Sequence, residues 1–299
     1  MSQNRSTLPA HLAILGANLI YGLNYVIAKG IMPDFMAPRA IIFFRVMRAA
    51  VVFWIITGLI KHEKVDKKDL RKLFAAAFFG IALNQIMFFE GLNLTTPINA
   101  SIIMVGTPIL VLVFSHFILK EGLTKLKALG IALGSAGALW LILKSGNFSF
   151  SSDTLLGNVF ILINASSYAL FLVLVKPLMK KYSPITVMKW LFTFGLIYVI
   201  PVSLKLVVQT NYSVIPFDIW MSIVYVVLFT TVLAYLLNNY SLKLVSPTVN
   251  SSYIYLQPFL ATVVAMATGK DVLTWVEVVA ALLIFSGVYF VSRPVLSTE

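Results

Sequence analysis

The chain has no cysteine, and only 11% of its 299 residues are charged. The first absence excludes disulfides, thiolate metal sites and cysteine nucleophiles. The second is more informative, because a soluble domain carries about 25% charged residues to cover its surface. Soluble enzymes, disordered chains and secreted disulfide scaffolds are excluded together. Acids are the scarcest charge, 11 against 23 Lys and Arg, and there are 3 histidines. Paired carboxylates or a histidine metal cluster therefore have little to be built from. No Gly-rich Lys-Ser/Thr phosphate loop occurs either, which argues against ATP hydrolysis in this chain.

What is present is apolar. Sixty per cent of the residues are hydrophobic and the mean hydropathy is +0.93, the composition of a polytopic membrane protein. Apolar runs fall at about 11–32, 40–60, 73–92, 97–119, 127–143, 156–176, 185–207, 217–239, 247–268 and 274–292. Each is long enough, or nearly so, to cross a bilayer as a helix. Ten spans leave room only for short loops and no soluble domain. The first run follows only Arg5 and lacks a small-residue cleavage site, so it reads as a retained helix.

Net charge is +12, which in a membrane chain reports loop orientation rather than nucleic-acid binding. With the N-terminus cytoplasmic, fifteen Lys and Arg fall on the inner side and five on the outer. Arg45, Arg48 and Lys189 lie within spans. The count predicts both termini inside the cytoplasmic membrane and an even number of spans.

An internal repeat is visible by eye. A shift of 150 residues superposes Leu92, Leu94, Pro97, Ser101, Pro108, Lys120, Leu123, Thr124 and Gly137 on identical residues. Their counterparts are Leu242, Leu244, Pro247, Ser251, Pro258, Lys270, Leu273, Thr274 and Gly287. Earlier in each half a shift of 147 pairs Tyr21, Lys29 and Met32 with Tyr168, Lys176 and Met179. Five spans per half is an odd number, so the halves (1–146 and 147–299) must cross in opposite directions. The expected fold is all-α, ten transmembrane helices as two inverted five-helix repeats, an architecture recurrent in secondary transporters.

These residues carry a resemblance. Tyr21-Gly-Leu-Asn24, Pro38 with Arg45, Phe89-Glu-Gly-Leu92, Pro97, Pro108 and Glu121-Gly-Leu-Thr124, in that order and with second-half counterparts, resemble the EamA-like family of the drug/metabolite transporter superfamily. Tyr21 stands where the family usually has tryptophan. The resemblance covers nearly the whole chain. It implies a carrier, frequently an exporter, of small metabolites or amino-acid-like solutes, and it does not name the solute.

Polar residues inside the runs are the candidate site, because they cost energy in hydrocarbon unless paired or facing water. Asn18, Tyr21, Asn84, Gln85, Asn99, Asn164, Tyr168, Tyr235, Asn250, Tyr253 and Gln257 are expected to line a central cavity, with Phe88 and Asn238 beside them. For each, interhelical hydrogen bonding is the competing reading. Arg45 and Arg48, three apart, share a helix face and suit either a carboxylate-attracting site or a structural role. Glu90 is expected to pair with Arg45, or else to bind a coupling proton. Pro108 and Pro258, each mid-span, read as kinks or hinges. Gly130, Gly134 and Gly137 read as a packing face. His116 has no nearby second ligand, so no metal site is expected.

The leading function is alternating-access transport of a small polar solute, with protons as a candidate coupling ion and the lipid bilayer as surroundings. No cofactor or nucleic-acid partner is expected, and the unit is a monomer or homodimer. An intramembrane enzyme lacks its nucleophile–base pair. A channel or non-transporting membrane protein is the alternative.

Overall fold

The computed structural model describes residues 7–60, 63–144, 152–267 and 274–293. Among them all regular structure is helical. The helices are α1 (Leu8–Ile31), α2 (Pro38–Leu59), α3 (Lys67–Leu94), α4 (Pro97–Met104), α5 (Thr107–Leu119) and α6 (Lys125–Lys144). They continue as α7 (Ser152–Lys181), α8 (Pro184–Gln209), α9 (Phe217–Leu244), α10 (Pro247–Ser252), α11 (Leu256–Ala267) and α12 (Trp275–Ser292).

Seven helical stretches among the described residues are long and apolar enough to cross a membrane: α1, α2, α3, Asn99–Leu119, Thr154–Lys181, α8 and α9. The expected spans at 127–143, 247–268 and 274–292 each include side chains outside the described residues, so that set does not test them. The run at 247–268 is divided into α10, a 3-10 turn at Tyr253–Tyr255, and α11. Within α12 the described apolar stretch is Val278–Ser292.

The breaks between helices come from local chemistry. The Thr96 hydroxyl accepts from the Asn99 N–H, with Pro97 opening α4. The Ser246 hydroxyl accepts from Val249 N–H in the same way, with Pro247 opening α10. A capping hydroxyl followed by proline is a strong helix start, worth about 1 kcal/mol for the cap alone. These starts sit 150 residues apart, so both short connections at 95–96 and 245–246 are tight turns between separate helices.

Packing joins the first part of the chain to the second. Helix α1 lies along α9, α2 along α8, α3 along α7, and α6 along α12. The α6–α12 contact depends on absent side chains. A Cβ on Gly287 would stand 2.6 Å from the Gly130 carbonyl oxygen, and one on Gly137 would stand 2.8 Å from that of Ala280. Gly134 instead makes room for the ring of Tyr255. The close approach expected of the glycine series is thus present, and it gains dispersion contact where no water is expelled.

Two helices depart from α geometry at corresponding places. Phe78–Leu83 in α3 and Tyr225–Leu233 in α9 are π-helical, and the 150-residue shift superposes the first on the end of the second. Such segments free carbonyls from the ordinary ladder and recur at functional sites. Here side chains take them up: Ser167 Oγ donates to Phe79 O (2.6 Å), Tyr235 Oη to Gly80 O (3.3 Å) and Thr231 Oγ1 to Val226 O (2.8 Å).

Candidate functional site

A cavity of about 80 Å³ lies at the centre of the helices. Asn18, Tyr21, Asn24 and Tyr25 of α1 face it, with Arg45 of α2 and Asn84, Gln85, Phe88 and Phe89 of α3. Its second half is built by Asn164 and Tyr168 of α7, Thr230, Tyr235 and Asn238 of α9, Asn250 of α10 and Gln257 of α11. Met104 and Ile254 close it at the two helix breaks. Several of these walls correspond under the repeat: Tyr21 with Tyr168, Gln85 with Tyr235, Phe88 with Asn238, and Met104 with Ile254.

The lining is cross-braced. Gln257 Nε2 donates to Asn18 Oδ1 (2.8 Å), Tyr168 Oη to Asn238 Oδ1 (3.1 Å) and Asn250 Nδ2 to the Asn238 carbonyl (3.1 Å). Asn164 Nδ2 donates to the Asn84 carbonyl at 2.8 Å, with a longer return bond of 3.5 Å. Gln85 Nε2 reaches the Tyr235 hydroxyl at 3.5 Å. These bonds satisfy one end of several amides and leave the other. Among the described residues, Asn24 Oδ1, Gln85 Oε1, Asn164 Oδ1 and Asn250 Oδ1 are buried without a hydrogen-bond partner. Buried polar atoms are nearly always paired in native proteins; these four amide oxygens and Thr230 Oγ1 are the exceptions among the residues that border the cavity.

Two expected lining residues stand elsewhere. Asn99 donates from Nδ2 to Thr95 Oγ1, which itself donates to Asn158 Oδ1; it ties α4 to α7. Tyr253 Oη lies 2.6 Å from His11 Nδ1 and does not border the cavity. Asn99 lies one residue out of register with Asn250, whose counterpart is Ala100, and Tyr253 lies in the 3-10 turn that follows α10.

The charged residues differ more. Glu90 pairs with Arg39 at 2.5 Å, not with Arg45. Arg39 opens α2 beside the end of α3, whereas Arg45 lies six residues along the axis, about 9 Å away. Glu90 therefore does not line the cavity. Arg45 and Arg48 do not act on one face: Arg45 is 3% exposed and borders the cavity, while Arg48 is exposed and stacks on Phe44 at 5.5 Å. Arg45 Nε donates to Thr231 Oγ1 (2.7 Å), and its guanidinium lies 4.6 Å from the Phe89 ring centre. No carboxylate lines the cavity among the described residues.

Pro108 and Pro258 do not kink continuous helices. Each stands in the first turn of a new helix, after the break at Val105–Gly106 or the 3-10 turn at Tyr253–Tyr255. Discontinuous helices that meet a cavity are tolerated in a membrane because the cavity or neighbouring protein satisfies their freed backbone groups.

Two lysines that a charge count treats as loop residues turn out to be braces. Lys29 Nζ donates to the carbonyls of Leu92 (2.8 Å), Asn93 (2.8 Å) and Thr95 (3.1 Å) at the end of α3. Lys176 Nζ donates to those of Leu242, Lys243 and Val245 at the end of α9. Each ammonium meets the negative end of a helix and its unpaired carbonyls. The two braces lie at opposite ends of the bundle, since the end of α9 lies beside the start of α1.

Other singled-out residues have local roles. Glu121 accepts from Lys127 (2.6 Å) and from the Thr248 hydroxyl (3.1 Å), joining α5, α6 and α10. Its counterpart segment Lys270–Leu273 lies outside the described residues, as does the side chain of Glu277. His116 Nδ1 lies 3.1 Å from the Glu121 carbonyl, and no group of three or more metal-ligating side chains occurs among the described residues. Lys189 is buried over Trp54 at 4.6 Å. Between α2 and α3, Glu63 accepts from the Ser183 N–H (2.9 Å). Burial pushes its carboxyl up, but hydrogen bonds from Thr186 and Ser183 and the charge of Lys243 outweigh that and hold it below its ordinary value.

All-helical structure among the described residues, with at least seven membrane-length helices and a polar central cavity, marks a multi-pass membrane protein of the transporter class. Comparison with known proteins agrees. The EamA-like transporter family matches it twice, over residues 8–143 and 155–293, and the chain belongs to that family. It is similar to the uncharacterized transporter YyaM of Bacillus subtilis, 28% identical over 94% of this chain and 92% of that one. It is also similar to the uncharacterized transporter YetK of the same organism, 25% identical over 95% and 87%. An uncharacterized transporter of Archaeoglobus fulgidus is 25% identical over 93% and 96%. A solved crystal structure shares the fold with a TM-score of 0.76, at 18% identity over 96% of this chain and 97% of that one.

Proposed function

We propose that the protein is a secondary carrier that moves a small polar metabolite, amino-acid-like or similar, across the cytoplasmic membrane by alternating access. The observation that carries the reading is the central cavity, walled by residues of both halves at matching places in the repeat. Two similar but non-identical halves with opposite topology exchange conformations, giving inward-open and outward-open states around one site. The unit we propose is ten spans in two inverted halves, 1–146 and 147–299, with both termini cytoplasmic. The cross-pairing of α1 with α9 and α3 with α7 supports it, as does the double family match. One copy encloses a complete pathway, so a monomer suffices. Outward transport is the direction that the family resemblance favours.

The substrate site we propose consists of Asn18, Tyr21, Asn84, Gln85, Asn164, Tyr168, Tyr235, Asn250 and Gln257, with Asn99 and Tyr253 as supports behind it. The helix breaks before Pro108 and Pro258 serve as the moving joints. Purified protein in proteoliposomes, tested for counterflow with a panel of amino acids, nucleobases and sugars, decides the matter. Saturable exchange of a panel member, reduced in Asn250→Ala and Tyr168→Ala at normal expression, is the expected result. Non-saturating flux would indicate a channel, and full activity in both variants would move the site elsewhere.

A further inference from the structure

We infer that Arg45 is the docking group for a carboxylate on the transported solute, an assignment that rests on reading the central cavity as the carrier's site. Arg45 is 3% exposed, faces the cavity and has one protein hydrogen bond, from Nε to Thr231 Oγ1. Its other close partner is the face of Phe89, a cation–π contact that holds the guanidinium plane without spending its N–H groups. The acid expected to neutralise it, Glu90, is committed to Arg39. Among the described residues no carboxylate borders the cavity.

A buried cation without an acid is costly, and guanidinium does not lose its proton in proteins. The compensating charge therefore comes from what enters the cavity. Guanidinium presents a planar fork whose geometry matches a carboxylate bidentately. With Nε held by Thr231, the terminal N–H groups are the ones left for that contact. The rest of the wall restricts the solute further. Asn24, Gln85, Asn164 and Asn250, whose amide oxygens have no protein partner, border the same cavity, and a solute with donors on the portion away from its carboxylate suits them. Small monocarboxylic acids with hydroxyl or amino donors meet both conditions. Their primary amides, equal in size, lack the charge.

The test is thermal unfolding of the detergent-solubilised full chain with matched pairs: lactate against lactamide, and 2-aminobutyrate against 2-aminobutyramide. Ligand that binds the folded state raises the midpoint. In the native protein an acid of the panel is expected to stabilise and its amide to do so far less. Arg45→Gln should weaken acid binding by about tenfold to a hundredfold, as befits loss of a charged hydrogen bond. Arg45→Lys should retain part of it, and Thr231→Val, which keeps the charge, should retain the preference for acid over amide. Equal shifts by acid and amide in the native protein would overturn the assignment. So would no shift from any acid at millimolar concentration, or an undiminished preference in Arg45→Gln. The native comparison stands even if a variant fails to fold. Counterflow separates the two readings: acids that bind through Arg45 but never exchange would defeat the carrier, whereas exchange of neutral solutes without acid binding would defeat only the docking role.

Discussion

The side chain of Gln85 reaches the hydroxyl of Tyr235 at 3.5 Å, and the two residues are 150 positions apart. The same interval superposes the halves of the sequence, so the bond joins one place in the repeat to its own counterpart. The Tyr235 hydroxyl also reaches Gly80 O, in the π-helical part of α3. A single phenol thus links α9 to the irregular stretch of α3 beside the cavity.

Tyr235→Phe removes that hydroxyl and keeps the ring between Tyr21 and Phe192. Expression should stay near normal while exchange falls severalfold. A double-mutant cycle with Gln85→Leu should give a coupling energy of about 0.5–1.5 kcal/mol. Additive losses in exchange would show that the two residues act independently.

The lysine braces should differ in strength. Lys176 is buried and Lys29 only half-buried. Lys176→Met, which strands the carbonyls of Leu242 and Val245, should cost about 1–3 kcal/mol, with Lys29→Met costing less. Unfolding midpoints in detergent rank the two, and the reverse order would mean that exposure does not govern these contacts.

Glu90 is held by Arg39 near one end of α3, with 18% of its side chain exposed. Glu90→Gln should leave the pH dependence of transport as it was and lower stability by no more than about 1 kcal/mol. Loss of pH-driven transport in this variant would return Glu90 to proton coupling.

Glu63 supplies a pH signature of stability. Its carboxyl titrates below its ordinary value in the folded chain, so the stabilisation is complete above the unfolded-state value. It is lost as pH falls through the folded one. Stability measured down the acid range should decline less steeply in Glu63→Gln than in the native protein.

Gly287→Val should abolish folded protein, because even a Cβ there would stand 2.6 Å from backbone on α6. Size-exclusion chromatography of the solubilised variant checks this. A monodisperse product would mean that α6 and α12 can separate without loss of the fold.

Much of the fold was legible because hydrocarbon leaves few alternatives: apolar runs became helices, and tight turns fell at Thr96-Pro97 and Ser246-Pro247. The cavity was legible through helical spacing, as with Asn164 and Tyr168 four apart on one face. That logic failed where the spacing itself changes. Thr230 was missed because a π-helical stretch separates it from Tyr235, and Asn99 was misplaced because Ala100 is the residue in register with Asn250. Asn24 and Tyr25 carried a usable signal, lying one turn beyond Tyr21. The Arg39–Glu90 pairing was not legible, since depth along two antiparallel helices depends on where each one begins. Nor were the lysine braces, because backbone carbonyls leave no mark in a sequence.

The π-helical stretch at Phe78–Leu83 has a consequence for how this wall tolerates change. Rewinding that stretch as α-helix with its residues kept would carry Asn84, Gln85 and Phe88 about 100° round the axis, away from the cavity and toward the neighbouring helices, whereas removing one residue along with the rewinding would leave them on their present face. The match between winding and residue count in a stretch of greasy side chains, none of which borders the cavity, therefore decides which residues of α3 do. The lining of the cavity can thus be altered from a distance, by an insertion or deletion that the winding does not absorb.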